Sequence, residues 1–154
     1  MALSIPMSHM ETALIEARLA AERGEVPVGA VLVLQGGEAA IASGNRMREL
    51  VDPTAHAELL VIRQACKERG SDRLPDCDLY VTLEPCTMCA AAISFARIRR
   101  LYFGATDPKM GAVESGVRFF SQASCHHRPE VYGGIAAEES ASLMQSFFAT
   151  RRSC

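Results

Sequence analysis

The sequence predicts an α/β protein built on a mixed five-stranded sheet, and three observations carry this prediction. Apolar runs of strand length alternate with stretches of helical periodicity along the 154 residues. Two of these runs flank a glycine-containing turn, as the strands of an antiparallel hairpin do. A helical stretch separates the strand that ends at Leu83 from the strand that begins at Arg100, and such a crossover makes two strands parallel.

The individual elements follow from local patterns. Strands are expected at 29–34, 39–44, 78–83, 100–105 and 131–135. Helices are expected at about 8–23, 54–69, 86–96 and 136–151. Ser8 and Glu11 have the spacing of a capping box at the start of the first helix. Residues 35–37 should form the hairpin turn, and residues 46–53 should form a polar loop. The last helix is expected to bury Leu143, Met144, Phe147 and Phe148.

The composition indicates a single domain, residues 1–154, with enough apolar side chains for a core, because 49% of the residues are hydrophobic and 22% are charged. No apolar run is long enough to span a membrane. The N-terminus lacks a basic segment followed by an apolar stretch, so no secretory signal is evident. Six cysteines without such a signal favour a reducing compartment, and we expect a cytoplasmic protein.

The candidate chemistry lies in two short motifs. One is His56-x-Glu58, and the other is Cys86-x-x-Cys89 preceded by Pro85. Thiolates and a neutral imidazole are ligands that Zn²⁺ prefers, and three of them leave one tetrahedral position for water. Glu58 is not needed as a ligand, so its carboxylate is free to move protons during a hydrolysis.

The spacing of His56 and Glu58 constrains the geometry of the site. On a regular helix the two side chains would point roughly 200° apart, at about 100° per residue. They can serve one site only if that site lies over a helix end. A helix is also expected to start at Cys86, directly after a strand. We therefore infer that two helix N-termini face one metal ion and help to keep the thiolates ionised.

Two alternatives compete with a catalytic zinc. A redox pair also uses Cys-x-x-Cys, and a structural zinc needs a fourth ligand. Residues that could supply that ligand are Cys66, Cys77, Cys125, His126 and His127. Zinc ribbons pair two Cys-x-x-Cys units, and this chain has one. Neither alternative explains why Glu58 accompanies His56, so a catalytic zinc is favoured.

Two further features remain open from the residues alone. Asn45 follows the hairpin, where it could serve turn chemistry or hold the edge of a base through its amide. Basic residues predominate between positions 97 and 128, namely Arg97, Arg99, Arg100, Lys109, Arg118 and Arg128. Such a stretch is either a solvated face or a footprint for phosphates. A nucleic acid and a small charged substrate are therefore both compatible with the sequence, whose net charge is -2.

Four segments together resemble bacterial tRNA-specific adenosine deaminases, which belong to the cytidine-deaminase-like superfamily. These segments are 27–33, 52–58, 79–90 and 103–109. The resemblance extends through His127-Arg128 and Phe147-Phe148 and so covers nearly the whole chain. The zinc motif alone would indicate only the superfamily, and the flanking segments narrow it to the tRNA enzymes.

The resemblance implies a three-layer α/β/α fold, a homodimer and one Zn²⁺ per subunit. It implies hydrolysis of adenosine to inosine at the wobble position, the first anticodon base, with the anticodon loop of tRNA as partner. The zinc ligands would be His56, Cys86 and Cys89. Glu58 would be the catalytic proton shuttle, Asn45 would contact the flipped adenine, and Asp107 would lie against the anticodon backbone.

Other functions are compatible with the same scaffold. A deaminase of a free base or nucleoside, such as guanine or cytosine, would need no basic surface. A non-catalytic, zinc-stabilised binding module would have four protein ligands and would tolerate the loss of Glu58. A tRNA-binding protein without chemistry would form no inosine.

Overall fold

The computed structural model describes residues 5–34 and 39–152, and it confirms the α/β prediction. The strands are β1 (Gly29–Val33), β2 (Ala40–Gly44), β3 (Asp78–Leu83), β4 (Arg100–Ala105) and β5 (Glu130–Tyr132). The helices are α1 (Ile5–Glu22), α2 (Met47–Leu50), α3 (Ala57–Arg69), α4 (Thr87–Phe95) and α5 (Ala137–Arg152). None of the described helices is long and apolar enough to cross a membrane.

The five strands form one sheet in the order β2-β1-β3-β4-β5. β1 and β2 pair antiparallel as the predicted hairpin, with Gly29 opposite Gly44. β3 runs antiparallel to β1 on one side and parallel to β4 on the other, and β5 is parallel to β4. The crossover through α4 thus produces the predicted parallel pair. It also brings the carboxyl ends of β3 and β4 to the same end of the sheet.

Alternate residues of the central strands belong to two different apolar layers. On β1, Ala30 and Leu32 pack in the layer that contains α3 and α4, whereas Val31 packs with α1. Tyr80 of β3 lies on the α1 side and stacks on Tyr102 of β4, with ring centroids 4.4 Å apart. Helices therefore cover both faces of the sheet, which confirms the three-layer α/β/α fold.

Helix α1 approaches the sheet closely at Gly29 of β1. A Cβ atom on Gly29 would overlap the backbone carbonyl of Ala13 and would lie 2.7 Å from the backbone nitrogen of Ala17. Both alanines are on the buried side of α1. Small residues on α1 and glycine on β1 thus allow direct contact between the two backbones.

Several predicted boundaries are wrong. β5 is Glu130–Tyr132 rather than 131–135. α1 begins at Ile5, so Ser8 lies inside the helix rather than at its cap. α3 begins at Ala57 rather than near Thr54, because the preceding residues form a turn. The loop at 46–53 contains the four-residue helix α2. The predicted turn at residues 35–37 lies outside the described residues.

A buried carboxylate explains why α2 forms in a stretch without helical periodicity. Glu25 is 2% exposed, and its two oxygens accept the backbone amides of Arg48 at 3.1 Å and Glu49 at 2.9 Å. These amides belong to the first turn of α2, whose N–H groups have no partner within the helix. The anchoring residue lies more than twenty positions away, so no local pattern predicts the helix.

Candidate active site

The chain enters α3 through a turn that leaves His56 just outside the helix. Asp52 Oδ1 accepts hydrogen bonds from the amide of Thr54 at 2.8 Å and from its hydroxyl at 2.7 Å. His56 is the N-cap residue, with an extended backbone (φ -75°, ψ 150°). Glu58 follows in the first turn of α3. His56 and Glu58 are therefore placed over a helix end, as their spacing predicts.

Cys86 occupies the equivalent position before α4. It is the N-cap residue (φ -74°, ψ 176°), and Cys89 is the third residue of the helix. The junction is held by the loop after β4, because the amide of Ala112 donates to the Pro85 carbonyl at 2.9 Å and Cys86 bridges to Gly111. The helix itself starts at Thr87, one residue later than predicted.

The three predicted metal ligands meet between these two helix starts. Nδ1 of His56 lies 3.7 Å from Sγ of Cys86 and 3.5 Å from Sγ of Cys89. All three ligand atoms lie within 4.8 Å of one another. Tetrahedral zinc, with bonds of about 2.1 Å to nitrogen and about 2.3 Å to sulfur, separates such atoms by about 3.6 Å. The donor atoms and their spacing therefore fit Zn²⁺.

The side chains that could close the site as a structural zinc clip lie elsewhere. Sγ of Cys125 contacts the backbone carbonyl of His127 at 3.1 Å, and the ring of His127 lies 2.7 Å from the carbonyl oxygen of Ile98. Cys77 is buried beside Asp76, and His126 is exposed. Within residues 5–34 and 39–152, the ligand cluster consists of His56, Cys86 and Cys89. Three protein ligands are typical of a catalytic zinc rather than a structural one.

The two cysteines differ in acidity. A hydrogen bond from Cys89 lowers the pKa of Cys86 despite the opposing effect of burial, and His56 lowers it further. The same hydrogen bond and burial raise the pKa of Cys89. Cys86 therefore carries the thiolate first, helped by its position at a helix N-terminus. Because zinc binds the thiolate form, metal binding displaces the proton of Cys89.

Glu58 is a buried carboxyl group beside this cluster. Its side chain is in hydrogen-bond contact with the Cys89 thiol, and the residue is 3% exposed. Burial raises the pKa of Glu58 to about 7, against smaller opposing effects that include a backbone hydrogen bond and the charge of His56. A carboxyl group with a pKa near neutrality can both accept and donate a proton at physiological pH.

A pocket of about 850 Å³ lies over the cluster. Five of the six predicted site residues line it, namely Asn45, His56, Glu58, Cys86 and Asp107. The sixth, Cys89, is fully buried. Exposed residues of the lining form the rim, and they include Lys109, Met110, Phe148 and Arg151. The volume is in the range of roughly 300–1,000 Å³ that small-molecule sites occupy.

Asn45 is buried and held in one orientation. Its Oδ1 accepts the backbone amide of Ala57, the first residue of α3, at 2.8 Å. The backbone amide of Asn45 donates to the Val28 carbonyl at 3.1 Å, and its backbone carbonyl accepts a hydrogen bond from the Arg23 side chain at 3.1 Å. Because Oδ1 is engaged, the side-chain NH₂ group remains to donate into the pocket. The bidentate contact with a base edge that the sequence leaves open would need Oδ1, which is already engaged, so the side chain can offer its NH₂ group alone.

Asp107 lies in the loop that follows β4. Its Oδ1 accepts the amides of Lys109 and Met110, both at 3.1 Å, so this oxygen closes a local turn. The other carboxylate oxygen takes no part in that turn, and the residue is half-buried in the pocket wall. The backbone amide of Asp107 donates to Oε1 of Glu84 at 2.8 Å.

Glu84 is a buried carboxylate that the sequence did not single out. Burial raises the pKa of Glu84, but hydrogen bonds from Asp107, Ser115 and Val113 outweigh that effect and hold the pKa below its ordinary value. An acidic residue directly after an apolar strand was the one local indication of such a role. Its partners lie more than twenty residues along the chain, where no spacing rule points to them.

Two of the predicted phosphate-binding arginines are already engaged in ion pairs. Nε and Nη2 of Arg99 lie 3.0 and 3.1 Å from the two carboxylate oxygens of Asp78. Arg100 lies 3.5 Å from Glu130 and 3.8 Å from Asp78. Lys109, by contrast, lines the pocket. Of the six basic residues singled out between positions 97 and 128, Lys109 is the one that lines the pocket. The stretch as a whole therefore does not form a single phosphate-binding surface beside the pocket.

The last helix also contributes to the site, and the prediction that Phe148 is buried is wrong. Leu143 and Met144 pack against the two apolar layers. Phe148 follows one helical turn after Met144, is 42% exposed and lines the pocket together with Arg151. Helical periodicity identifies the apolar side of α5. It does not show that this side continues beyond the edge of the core, where Phe148 is exposed to the pocket.

Similarity to known proteins agrees with this site. Residues 4–105 match the model of the cytidine and deoxycytidylate deaminase zinc-binding region. The chain is 69% identical over 143 residues to the tRNA-specific adenosine deaminase of Agrobacterium fabrum, which covers 93% of each chain. A solved tRNA:A34 deaminase, which edits A to I at the wobble position, superimposes with a TM-score of 0.85 at 70% identity and covers 88% of this chain and 98% of its own.

A more distant likeness is to a guanine deaminase from Bacillus subtilis. That structure has a TM-score of 0.63 at 30% identity, and the match covers 94% of this chain and 92% of the other. The fold is thus common to enzymes named for different bases, whereas the higher identity is to the tRNA enzymes. The chain belongs to the zinc-binding cytidine and deoxycytidylate deaminase family and, within it, to the tRNA-specific adenosine deaminases.

Proposed function

We propose that the protein, a single deaminase domain over residues 1–154, is a zinc-dependent hydrolase that converts adenosine to inosine at the wobble position of tRNA. The observation that carries the chemistry is Glu58, a proton carrier buried against a three-ligand metal cluster in a pocket of about 850 Å³. Support for the substrate comes from the relative at 69% identity, which is named a tRNA-specific adenosine deaminase.

The reaction adds water to adenine and releases ammonia. Zinc, when bound, lowers the pKa of water to about 7 and so supplies hydroxide at neutral pH. Glu58 accepts the proton of the attacking water and passes it to the ring nitrogen beside the reacting carbon. Glu58 then takes the remaining proton from the hydroxyl that has been added to the carbon. It gives this proton to the exocyclic amine as the carbon–nitrogen bond breaks, so that the carbonyl of inosine forms and ammonia leaves. Burial raises the pKa of Glu58, which suits a carboxyl group that must both accept and donate protons.

We assign two pocket residues to substrate binding. The NH₂ group of Asn45 would donate a hydrogen bond to the flipped adenosine, and the hydrogen bond from Ala57 keeps that group in place. Asp107 would contact the backbone of the anticodon through the carboxylate oxygen that the local turn leaves free. Base deaminases, the tRNA enzymes among them, act on bases that are unpaired or flipped out. An anticodon loop presents such bases.

The rim of the pocket supports RNA as the ligand. Lys109 and Arg151 place two cations there, and Phe148 adds an exposed aromatic ring. Cations beside a groove neutralise phosphates, and aromatic rings stack on unpaired bases. A deaminase of a free base would gain little from these groups.

We further propose that the enzyme is a homodimer in the cytoplasm. Met88, Ala91 and Phe95 lie on one side of α4, at helical spacing. Phe95 is 74% exposed, and the other two are partly exposed. An apolar stripe of this kind is suited to a second copy of the chain. The five described cysteines are free, as expected in a reducing compartment.

The decisive experiment uses an anticodon stem-loop with adenosine at the wobble position. The zinc-loaded protein should convert that adenosine to inosine, as nucleoside analysis after digestion would reveal. A stem-loop with its adenosine moved to the next anticodon position is the control and should remain unchanged. Conversion of free guanine or cytosine, with no inosine in the RNA, would instead favour a free-base deaminase.

A further inference from the structure

We propose that Glu84 is a positioning residue, whose buried carboxylate holds the loop 107–115 in the shape that brings Asp107 and Lys109 to the substrate. The identity of the substrate rests on the function proposed above. The contacts between Glu84 and the loop do not depend on that function, and hydrogen exchange of the loop amides tests them without any substrate.

The carboxylate of Glu84 is saturated with donors from this one loop. Oε1 accepts the amide of Asp107 at 2.8 Å and the hydroxyl of Ser115 at 2.9 Å. Oε2 accepts the amides of Val113 at 3.0 Å, Glu114 at 2.8 Å and Ser115 at 2.8 Å. Glu84 is 2% exposed, so these groups replace water as its solvation. Hydrogen bonds to an ionised acceptor are stronger than neutral ones.

Besides Glu84, the loop is held by the hydrogen bond from Ala112 to Pro85 and by the turn that Asp107 closes. It contains no helix, and its one bridge joins Gly111 to Cys86. The amide of Gly111 donates to the Asp107 carbonyl at 2.7 Å, which folds the loop back over Glu84. A Cβ atom at Gly111 would lie 2.5 Å from Cδ of Glu84 and 2.6 Å from its Oε1. The fit between loop and carboxylate is thus too close for any residue larger than glycine.

The same loop supplies one wall of the pocket. Asp107, Lys109 and Met110 all line it, and all three lie between the first and last residues that Glu84 holds. Glu84 itself follows β3 directly, so its position is fixed by the sheet. Through its hydrogen bonds, the Glu84 carboxylate therefore fixes the loop to the sheet and so positions the residues that would contact the anticodon.

The test replaces the carboxylate with an amide of the same shape. In Glu84→Gln, one accepting oxygen becomes an NH₂ group that faces N–H donors, and the loop should loosen. We expect the amides of residues 107 and 113–115 to exchange hydrogen at least about tenfold faster. The KM for the anticodon stem-loop should rise about tenfold, the effect of one lost charged hydrogen bond. Zinc content and kcat should stay close to those of the unmodified protein.

Asp78→Asn is the matched control. Asp78 is the first residue of the same strand, about 20 Å from Glu84 at about 3.3 Å per residue, and its carboxylate also binds a partner, Arg99. This substitution makes the same chemical change at the opposite end of β3. It should leave both KM and the exchange of the loop amides unchanged. An equal rise in KM in both variants would overturn the proposal, because the effect would then be general destabilisation.

A double-substitution cycle tests whether Glu84 acts through Asp107. If it does, Glu84→Gln should raise KM less in an Asp107→Ala background than in the unmodified protein. If the effects of the two substitutions on KM are fully additive, Glu84 does not act through Asp107. A loss of zinc and of kcat at constant KM would instead assign Glu84 to the metal site through its neighbour Cys86, and would also overturn the proposal.

A milder variant keeps the test available if Glu84→Gln does not fold. Ser115→Ala removes the hydroxyl donor to Oε1 of Glu84. It should reproduce the faster exchange and the higher KM to a smaller extent, and unchanged values would contradict the proposal. If the unmodified protein does not edit the stem-loop, the proposed function fails, whereas the exchange data still decide whether Glu84 holds the loop.

Discussion

At the scale of single residues, the site depends on where side chains lie relative to helix starts. His56 and Cys86 are both N-cap residues with extended backbones, and Cys89 follows one turn into α4. Their ligand atoms meet because the two helix starts face each other. Glu58 lies in the first turn of α3, and burial rather than a neighbouring charge has the largest effect on its pKa. The residue types determine the chemistry, and the helix starts determine that the residues meet.

Glu58→Gln should separate proton transfer from metal binding. The amide keeps the shape of the side chain but cannot accept and release the proton, so kcat should fall at least about a hundredfold, the lower range for general acid–base catalysis. Zinc should remain at one ion per chain, because Glu58 is not among the ligand atoms that cluster. Single-turnover assays and metal analysis of the same preparation would measure both. Retained activity would remove Glu58 from the mechanism.

Asn45→Asp should separate substrate binding from the start of α3. The aspartate keeps an oxygen for the amide of Ala57, so unfolding in urea should change little. It replaces the NH₂ donor with an acceptor, and kcat/KM should fall about 10- to 100-fold, in line with roughly 1–3 kcal/mol for leaving a buried polar group without its partner. Asn45→Ala is the comparison and should also lower the free energy of unfolding by about 1 kcal/mol, since it removes the partner of Ala57.

The residue types of the metal cluster and Glu58 could be recognised from sequence because each is a strong chemical signal at a fixed spacing. The orientation of the other pocket side chains could not be recognised from the sequence. That the Oδ1 of Asn45 is engaged, and its NH₂ group left over, depends on Ala57, twelve residues away. That Asp107 sits in a rigid loop depends on Glu84, which precedes it by 23 residues. Both facts are consequences of tertiary contacts.

At the scale of elements, α1 packs directly against β1 at Gly29, and a substitution there tests how closely the two elements must approach. Gly29→Ala would force a methyl group into the backbone of α1 near Ala13. We expect a loss of about 3 kcal/mol or more in the free energy of unfolding, since neither backbone can move without displacing the sheet. Gly70→Ala is the matched control, because Gly70 has φ +71° and nothing within 4 Å of an added Cβ. That substitution should cost only about 1 kcal/mol of backbone strain. Equal losses would show that space around Gly29 is not limiting.

Elements that follow from their own sequence were predicted well. The β3-α4-β4 crossover is one, since two apolar runs and a helix between them suffice to make the strands parallel. Elements that depend on a distant partner were not. α2 needs Glu25, and the start of α3 needs the turn at Asp52 and Thr54. The apolar side of α5 was identified, but Phe148 lies beyond the layer that it was expected to join.

At the scale of the whole molecule, a net charge of -2 coexists with a cationic rim around one pocket. Affinity for the stem-loop should therefore fall steeply with added salt. Lys109→Ala should reduce the slope of log affinity against log salt by about 0.7–0.9, the value for one phosphate contact. Lys67→Ala, an exposed lysine on α3 outside the pocket lining, should leave the slope unchanged. Fluorescence anisotropy at several salt concentrations would measure both slopes, and equal slopes would exclude Lys109 from phosphate binding.

The metal ligands come from two separate segments of the chain, His56 before α3 and the two cysteines at the start of α4. A break in the exposed connection between Gly70 and Arg73 would leave His56 and Glu58 on one fragment and both cysteines on the other. Reassembly would require β1 to recover its pairing with β3, and the ion would then join the halves. Deamination by mixed fragments, abolished by a chelator, would make this small enzyme a zinc-gated split reporter.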